Sequence, residues 1–186
     1  MNRGKIVVFR SLAVLVASAF LAAISVVCGK YLAIPVGEVM RFSFENLPVI
    51  MAGIFFGPII GATVGAVADI IGCILVGYTI NPIVTAGAAV IGFTSGLVYI
   101  ICNKLKVSSN ALKVTFSVVA AHLIGSVIIK TVGLSAFYSI SLPILMLWRL
   151  LNYVIVAILE VIILCYLTKS KLIVSQINSI TGKGKK

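Results

Sequence analysis

The chain is poor in charge. Only 10% of its 186 residues are Asp, Glu, Lys or Arg, and four of these are acidic. Ordinary soluble domains carry about 25%. No G-x-x-x-x-G-K-[ST] loop occurs, so the sequence encodes no nucleotide-hydrolysing site of that type. One histidine and two well-separated buried acids do not supply the clustered nucleophiles, acid–base pairs or metal ligands of an intramembrane enzyme. Cys28, Cys73, Cys102 and Cys165 form no C-x-x-C pair and lie in or beside apolar runs. Buried small residues suit that pattern better than zinc ligands or disulfides. The expectation is a chain that is not an enzyme and holds no cofactor or metal.

What remains is mostly hydrocarbon. Hydrophobic residues make up 61% of the chain and the mean hydropathy is +1.24, against about 45–50% apolar residues in soluble domains. This is the composition of an integral membrane protein. At roughly 20 residues per span, the length allows about five to seven helices, with no room for a separate soluble domain. The stretch from Ser11 to Cys28 follows Arg3, Lys5 and Arg10 like a signal peptide. It exceeds the roughly 7–15 residues of such an apolar region, and is read as a retained first helix.

Apolar runs and breakers predict an all-α, six-transmembrane-helix bundle forming one membrane domain over residues 1–186. Its spans are expected at about 10–28, 42–56, 59–76, 82–103, 113–132 and 144–168. Gly57-Pro58 splits an uncharged run too long for one span, because proline suits a first helical turn and breaks an interior. Asn81-Pro82 marks another turn, Gly133 to Pro143 a connection, and residues 169–186 a basic tail. Six spans put both termini on one side. Basic residues cluster at Arg3, Lys5 and Arg10, at Lys104, Lys106 and Lys113, and at Lys169, Lys171, Lys183, Lys185 and Lys186. With the termini cytoplasmic, all three clusters fall inside and none of Glu38, Glu45, Asp69 and Glu160 is in a cytoplasmic loop. Attraction to anionic lipid headgroups accounts for the net charge of +11, and no nucleic-acid partner is expected.

Small residues recur every fourth position in span 3 (Gly61, Gly65, Asp69, Cys73) and span 4 (Ala88, Gly92, Gly96), which predicts close helix packing. Span 1 carries the pairs Ala13 and Ala17, and Ala19 and Ala23. They suit either packing within the chain or docking of a separate membrane subunit.

Ionisable groups inside a membrane are costly and usually face the bundle interior or a wet cavity. Arg149, Asn152, Val156 and Glu160 share a face of span 6. The outer half gathers Arg41, Lys130 and Arg149 as cations, Asp69, Asn46, Asn81 and Asn152 as polar partners, and Tyr78, Trp148, Phe42 and Phe44 as aromatic faces. This set suits a cavity for an aromatic, anionic small molecule. The structural alternative has Lys130 and Arg41 snorkelling to the interface, Trp148 in an aromatic belt and Asp69 paired with Arg149. His122 and Glu160 read as helix–helix hydrogen-bonding partners.

The segment Arg41-Phe42-Ser43-Phe44-Glu45-Asn46-Leu47-Pro48, followed by Ala52-Gly53, Phe56-Gly57-Pro58, Gly61, Gly65, Asp69 and Gly72, resembles the S components of energy-coupling factor (ECF) vitamin transporters. Asn81-Pro82, Thr85-Ala86, Gly92, Gly96, Leu142-Pro143 and Trp148-Arg149-Leu150-Leu151-Asn152 continue the likeness, which is greatest to the folate-specific branch. The chain departs from that branch in a short loop between spans 3 and 4, in Asn152 where a lysine is common, and in lacking a proline soon after it. The resemblance implies a multi-pass subunit of the bacterial plasma membrane with no ATPase of its own. It implies capture of a folate-like vitamin at the outer face and association with a transmembrane coupling subunit and two cytoplasmic ATPases. Ala13, Ala17, Ala19 and Ala23 would be the docking face. Pantothenate, thiamine or a queuosine precursor is the alternative substrate, and a non-catalytic assembly subunit the alternative role.

Overall fold

The computed structural model describes residues 12–36, 40–138 and 141–181, with the side chains of residues 35, 36, 40, 41 and 138 outside the description. Arg3, Lys5, Arg10, Glu38, Lys183, Lys185 and Lys186, all counted in the charge pattern above, lie outside the described residues.

Eight α-helices are described. Helix α1 (Leu12–Val26) runs on through a wider π-helical stretch, Val27–Tyr31, before a short antiparallel hairpin of β1 (Ile34–Val36) and β2 (Met40–Phe42). Helices α2 (Asn46–Phe56), α3 (Pro58–Leu75) and α4 (Pro82–Lys104) follow. Helix α5 (Asn110–Ala121) continues through a second π-helical stretch, His122–Ile129, into α6 (Lys130–Tyr138), and α7 (Leu142–Lys169) and α8 (Lys171–Ile180) complete the order.

The bundle is helical as expected, with this short hairpin as an addition between α1 and α2. Ile34 pairs with Phe42 and Val36 with Met40 across it, and β-branched and aromatic residues favour extended backbone. Among the described residues, five helical stretches are long and apolar enough to cross a bilayer. Helix α2 has eleven residues, about 16 Å of rise against the roughly 30 Å of a hydrocarbon core. The predicted connection at Gly133–Pro143 is helical as far as Tyr138, and the tail holds α8, whose Ile177 and Ile180 pack on the core.

Turn chemistry explains the helix ends. Gly57 takes φ +103°, a conformation costly for other residues, and Pro58 starts α3 beyond it. Helices α3 and α4 then approach backbone to backbone. A Cβ on Gly61 or Gly92 would overlap the carbonyl of the other, and one on Gly65 would overlap that of Ala88. The small-residue ridges of spans 3 and 4 therefore pack against each other. Helix α2 joins them, since a Cβ on Gly53 would strike the Gly92 carbonyl. Around this contact Val14, Ile50, Ile60, Ile91, Val114, Val118 and Leu164 form the core.

Candidate functional site

One cavity lies at the end of the bundle where α1 finishes, α2 begins, α3 finishes and α4 begins. Its lining includes Ser25, Gly29, Lys30, Glu45, Asn46, Asp69, Ala88 and Lys130. Two acids face two lysines there, inside an otherwise apolar scaffold. The cavity's volume is about 20 Å³, room for about one water molecule.

The charged side chains reach this point through gaps that glycines leave. A Cβ on Gly29 would stand 2.8 Å from the Glu45 carboxylate, one on Gly72 2.7 Å from Lys30 Cε, and one on Gly87 2.7 Å from Lys130 Cγ. The first of the three sits in the π-helical stretch that follows α1. The second such stretch leads directly into Lys130, and wide turns of this kind often occur at functional sites.

Lys130 Nζ donates to Glu45 Oε1 at 2.9 Å, with the lysine side chain 5% and the glutamate 29% exposed. Lys130 thus points inward and pairs, which replaces the snorkelling alternative. Ser25 Oγ donates to the Glu45 carbonyl at 2.6 Å and holds the start of α2 against α1. Thr85 Oγ1 donates to Asp69 Oδ2 at 2.6 Å; among the described residues Asp69 makes no ion pair with Arg149. Lys30 Nζ sits 5.6 Å from the centre of the Tyr78 ring, within cation–π range.

The remaining expected site residues separate into groups. Asn46 lines the cavity and is 2% exposed. Asn81 caps α4, its Oδ1 accepting from the Ile83 and Val84 amides, and its Nδ2 donates to the Gly133 carbonyl at 2.9 Å. It serves as a structural clamp. Arg149 Nη2 donates to the Tyr153 hydroxyl at 3.1 Å and the guanidinium lies 5.4 Å from that ring's centre, while its Nε is buried without a hydrogen-bond partner. Asn152 is buried on the same face of α7 as Val156 and Glu160. Trp148 is 55% exposed beside the exposed Leu147 and Leu151, and Phe44 and Tyr78 are also exposed. The Arg41 side chain lies outside the described residues. On α1, Ala13, Ala19 and Ala23 are exposed, whereas Ala17 is half-buried and packs on the core.

Sequence reasoning left Lys30, Glu45, Thr85 and Tyr153 out of the site. The available signal was adjacency: Lys30 adjoins Gly29, which lines the same cavity, and Glu45 directly precedes Asn46. Deeper in the bundle, His122 Nε2 bonds Glu160 Oε2 and the His122 ring stacks on Tyr153 at 4.8 Å. Among the described residues no three His, Cys, Asp or Glu side chains group as a metal site.

Comparison with known proteins adds three findings. The family profile described as "ECF transporter, substrate-specific component" matches residues 13–173. An uncharacterized protein of Mycoplasma pneumoniae, the MG313 homolog, is 32% identical over 125 residues, 67% of this chain and 43% of that protein. The match thus spans less than half the length of this relative. Three solved structures share the fold. FolT bound with folic acid has a TM-score of 0.67 at 24% identity, covering 82% of this chain and 90% of that one. The S component of a bacterial ECF transporter has a TM-score of 0.62 at 17% identity, covering 83% and 95%. The S component for biotin from an ECF-type ABC transporter has a TM-score of 0.61 at 23% identity, covering 84% and 91%.

Proposed function

The chain belongs to the family of substrate-specific components of ECF transporters, integral proteins of the bacterial plasma membrane, and on that premise we propose that it captures a folate-like vitamin at the outer face. Delivery then depends on a separate transmembrane coupling subunit and two cytoplasmic ATPases. In this reading both termini are cytoplasmic and α2 counts as a sixth, short crossing. The described lysines support that orientation, since Lys104, Lys106, Lys113, Lys169 and Lys171 all gather at the bundle end opposite the cavity.

The observation that carries the reading is the mixed polarity of the cavity. Glu45, Asp69 and the Asn46 amide offer acceptors suited to the N–H edge of a pterin, and Lys30 and Lys130 offer cations suited to carboxylates. Tyr78 lies beside Lys30, and Tyr153 beside Arg149. A vitamin needs more room than the resting cavity has, so its entry parts Lys130 from Glu45 and turns each toward the ligand. Arg41, if it reaches the same cavity, adds a further cation.

The two acids in the lining also favour a second reading, a vitamin with a cationic ring such as thiamine. Isothermal calorimetry on the purified protein separates the two. Folic acid is expected to bind with sub-micromolar affinity and thiamine, pantothenate and biotin not to bind, on the order of the 8 kcal/mol or more that a micromolar complex requires. No heat at micromolar folic acid removes the substrate assignment, and binding of thiamine instead selects the second reading.

A further inference from the structure

Hydrogen bonds run without a break from the cavity floor into the centre of the bundle. Asn46, which lines the cavity, donates from Nδ2 to Ser126 Oγ at 3.5 Å. Ser126 Oγ lies 3.2 Å from His122 Nδ1, and His122 Nε2 meets Glu160 Oε2. All four side chains are buried, Ser126 and Glu160 completely. The second Glu160 oxygen, Oε1, is buried with no hydrogen-bond partner. The binding function proposed above makes no use of the three residues below Asn46.

A net charge at the centre of a membrane bundle is costly, so the His122–Glu160 pair is stable when it is neutral as a whole. Neutrality is reached as imidazole with carboxylic acid or as imidazolium with carboxylate. A hydrogen on Oε1 would have no acceptor, so in both forms one hydrogen lies between Nε2 and Oε2, and the other sits on Nδ1. Nδ1 then donates to Ser126. A serine oxygen has two lone pairs, enough to accept both the Nδ1 hydrogen and that of the Asn46 amide. With its NH2 committed to Ser126, the amide leaves Oδ1 for the cavity.

The groups around the pair are compatible with this. Tyr153 of α7 stacks on the imidazole and takes a hydrogen bond from Arg149. Lys130 and Glu45, at the cavity, neutralise each other. Helix α2 and the stretch of α4 from Pro82 to Val98 carry no titratable side chain, and α5 carries only Lys113, near its far end.

We propose that Ser126, His122 and Glu160 are positioning residues that hold the Asn46 amide with its oxygen toward the cavity, so that the site selects a ligand whose buried edge offers an N–H donor. This rests on the substrate-binding reading and specifies the ligand edge that meets Asn46.

His122 is the sole histidine, so ¹⁵N-imidazole labelling reports it alone, with or without ligand. The test combines that spectrum with folic acid calorimetry on wild type, Ser126→Ala, Glu160→Leu and Glu160→Gln. Nδ1 is expected to carry hydrogen at neutral pH, and Ser126→Ala to move its resonance. Folic acid affinity is expected to fall about tenfold in Ser126→Ala and Glu160→Leu, as for one lost buried hydrogen bond. Glu160→Gln, whose amide donates to Nε2 as the shared proton does, restores most of the loss. A bare Nδ1 overturns the proposal, as does a Ser126→Ala protein that binds folic acid as tightly as wild type. If wild type binds no folic acid, the folate reading falls and the Nδ1 signal alone decides: hydrogen on Nδ1, displaced by Ser126→Ala, supports the chain of bonds.

Discussion

At the scale of single residues, the pair between Lys130 and Glu45 matters most. An ammonium 4% exposed in an apolar bundle is tolerable only beside a carboxylate. Lys130→Met leaves Glu45 without its direct partner. Losing one member of a fully buried pair costs about 3–5 kcal/mol, and the 29% exposure of Glu45 reduces this to about 1–3 kcal/mol. Thermal unfolding in detergent should show that loss, and the double change Lys130→Met with Glu45→Gln should recover part of it. A wild-type melting temperature in the single variant would mean that the pair contributes nothing to the fold. Asn81 teaches a related lesson. Asn directly before Pro is a helix N-cap signature, so its structural role was available from the sequence. Its polarity and its place near the outer end suit a ligand residue equally well.

Helices and their contacts are the next level. The breakers Gly57-Pro58, Asn81-Pro82 and Pro143 place the ends of α2, α3, α4 and α7 in the sequence, because each has a local backbone cause. The shared face of Asn152, Val156 and Glu160 was equally readable from helical periodicity. The hairpin and the helical continuation through Gly133 to Tyr138 were not, since neither follows a strong period. The pairing of Lys30 and Glu45 with Gly72 and Gly29 depends on how separate elements meet, which spacing along one element does not encode. The contact of α3 with α4 can be tested directly. Gly92→Ala places a methyl group in the Gly61 carbonyl, where only backbone could yield. The expected loss is about 3 kcal/mol, the upper part of the overpacking range, read from unfolding in mixed micelles. A change within about 0.5 kcal/mol, the size of an ordinary surface substitution, would show that the helices separate freely.

For the whole molecule, the flank of α1 is the proposed docking face for the coupling and ATPase subunits. Ala13, Ala19 and Ala23 are exposed among Leu12, Val16 and Phe20, and Ala17 turns toward the core. Ala19→Trp should leave the isolated protein folded and able to bind ligand, yet abolish co-purification with coupling and ATPase subunits. Ala17→Trp should lower the melting temperature first, because it overfills a packed position. Co-purification unaffected by Ala19→Trp would place the docking face elsewhere.

The narrowness of the cavity carries a kinetic consequence. A pocket with room for about one water molecule cannot admit a vitamin by simple collision. In the proposed function, capture waits until Lys130 swings away from Glu45, a unimolecular event. In stopped-flow mixing, the observed rate should therefore level off as vitamin concentration rises, and weakening this latch should lift that ceiling. A rate that climbs linearly without limit would mean the doorway stands open at rest.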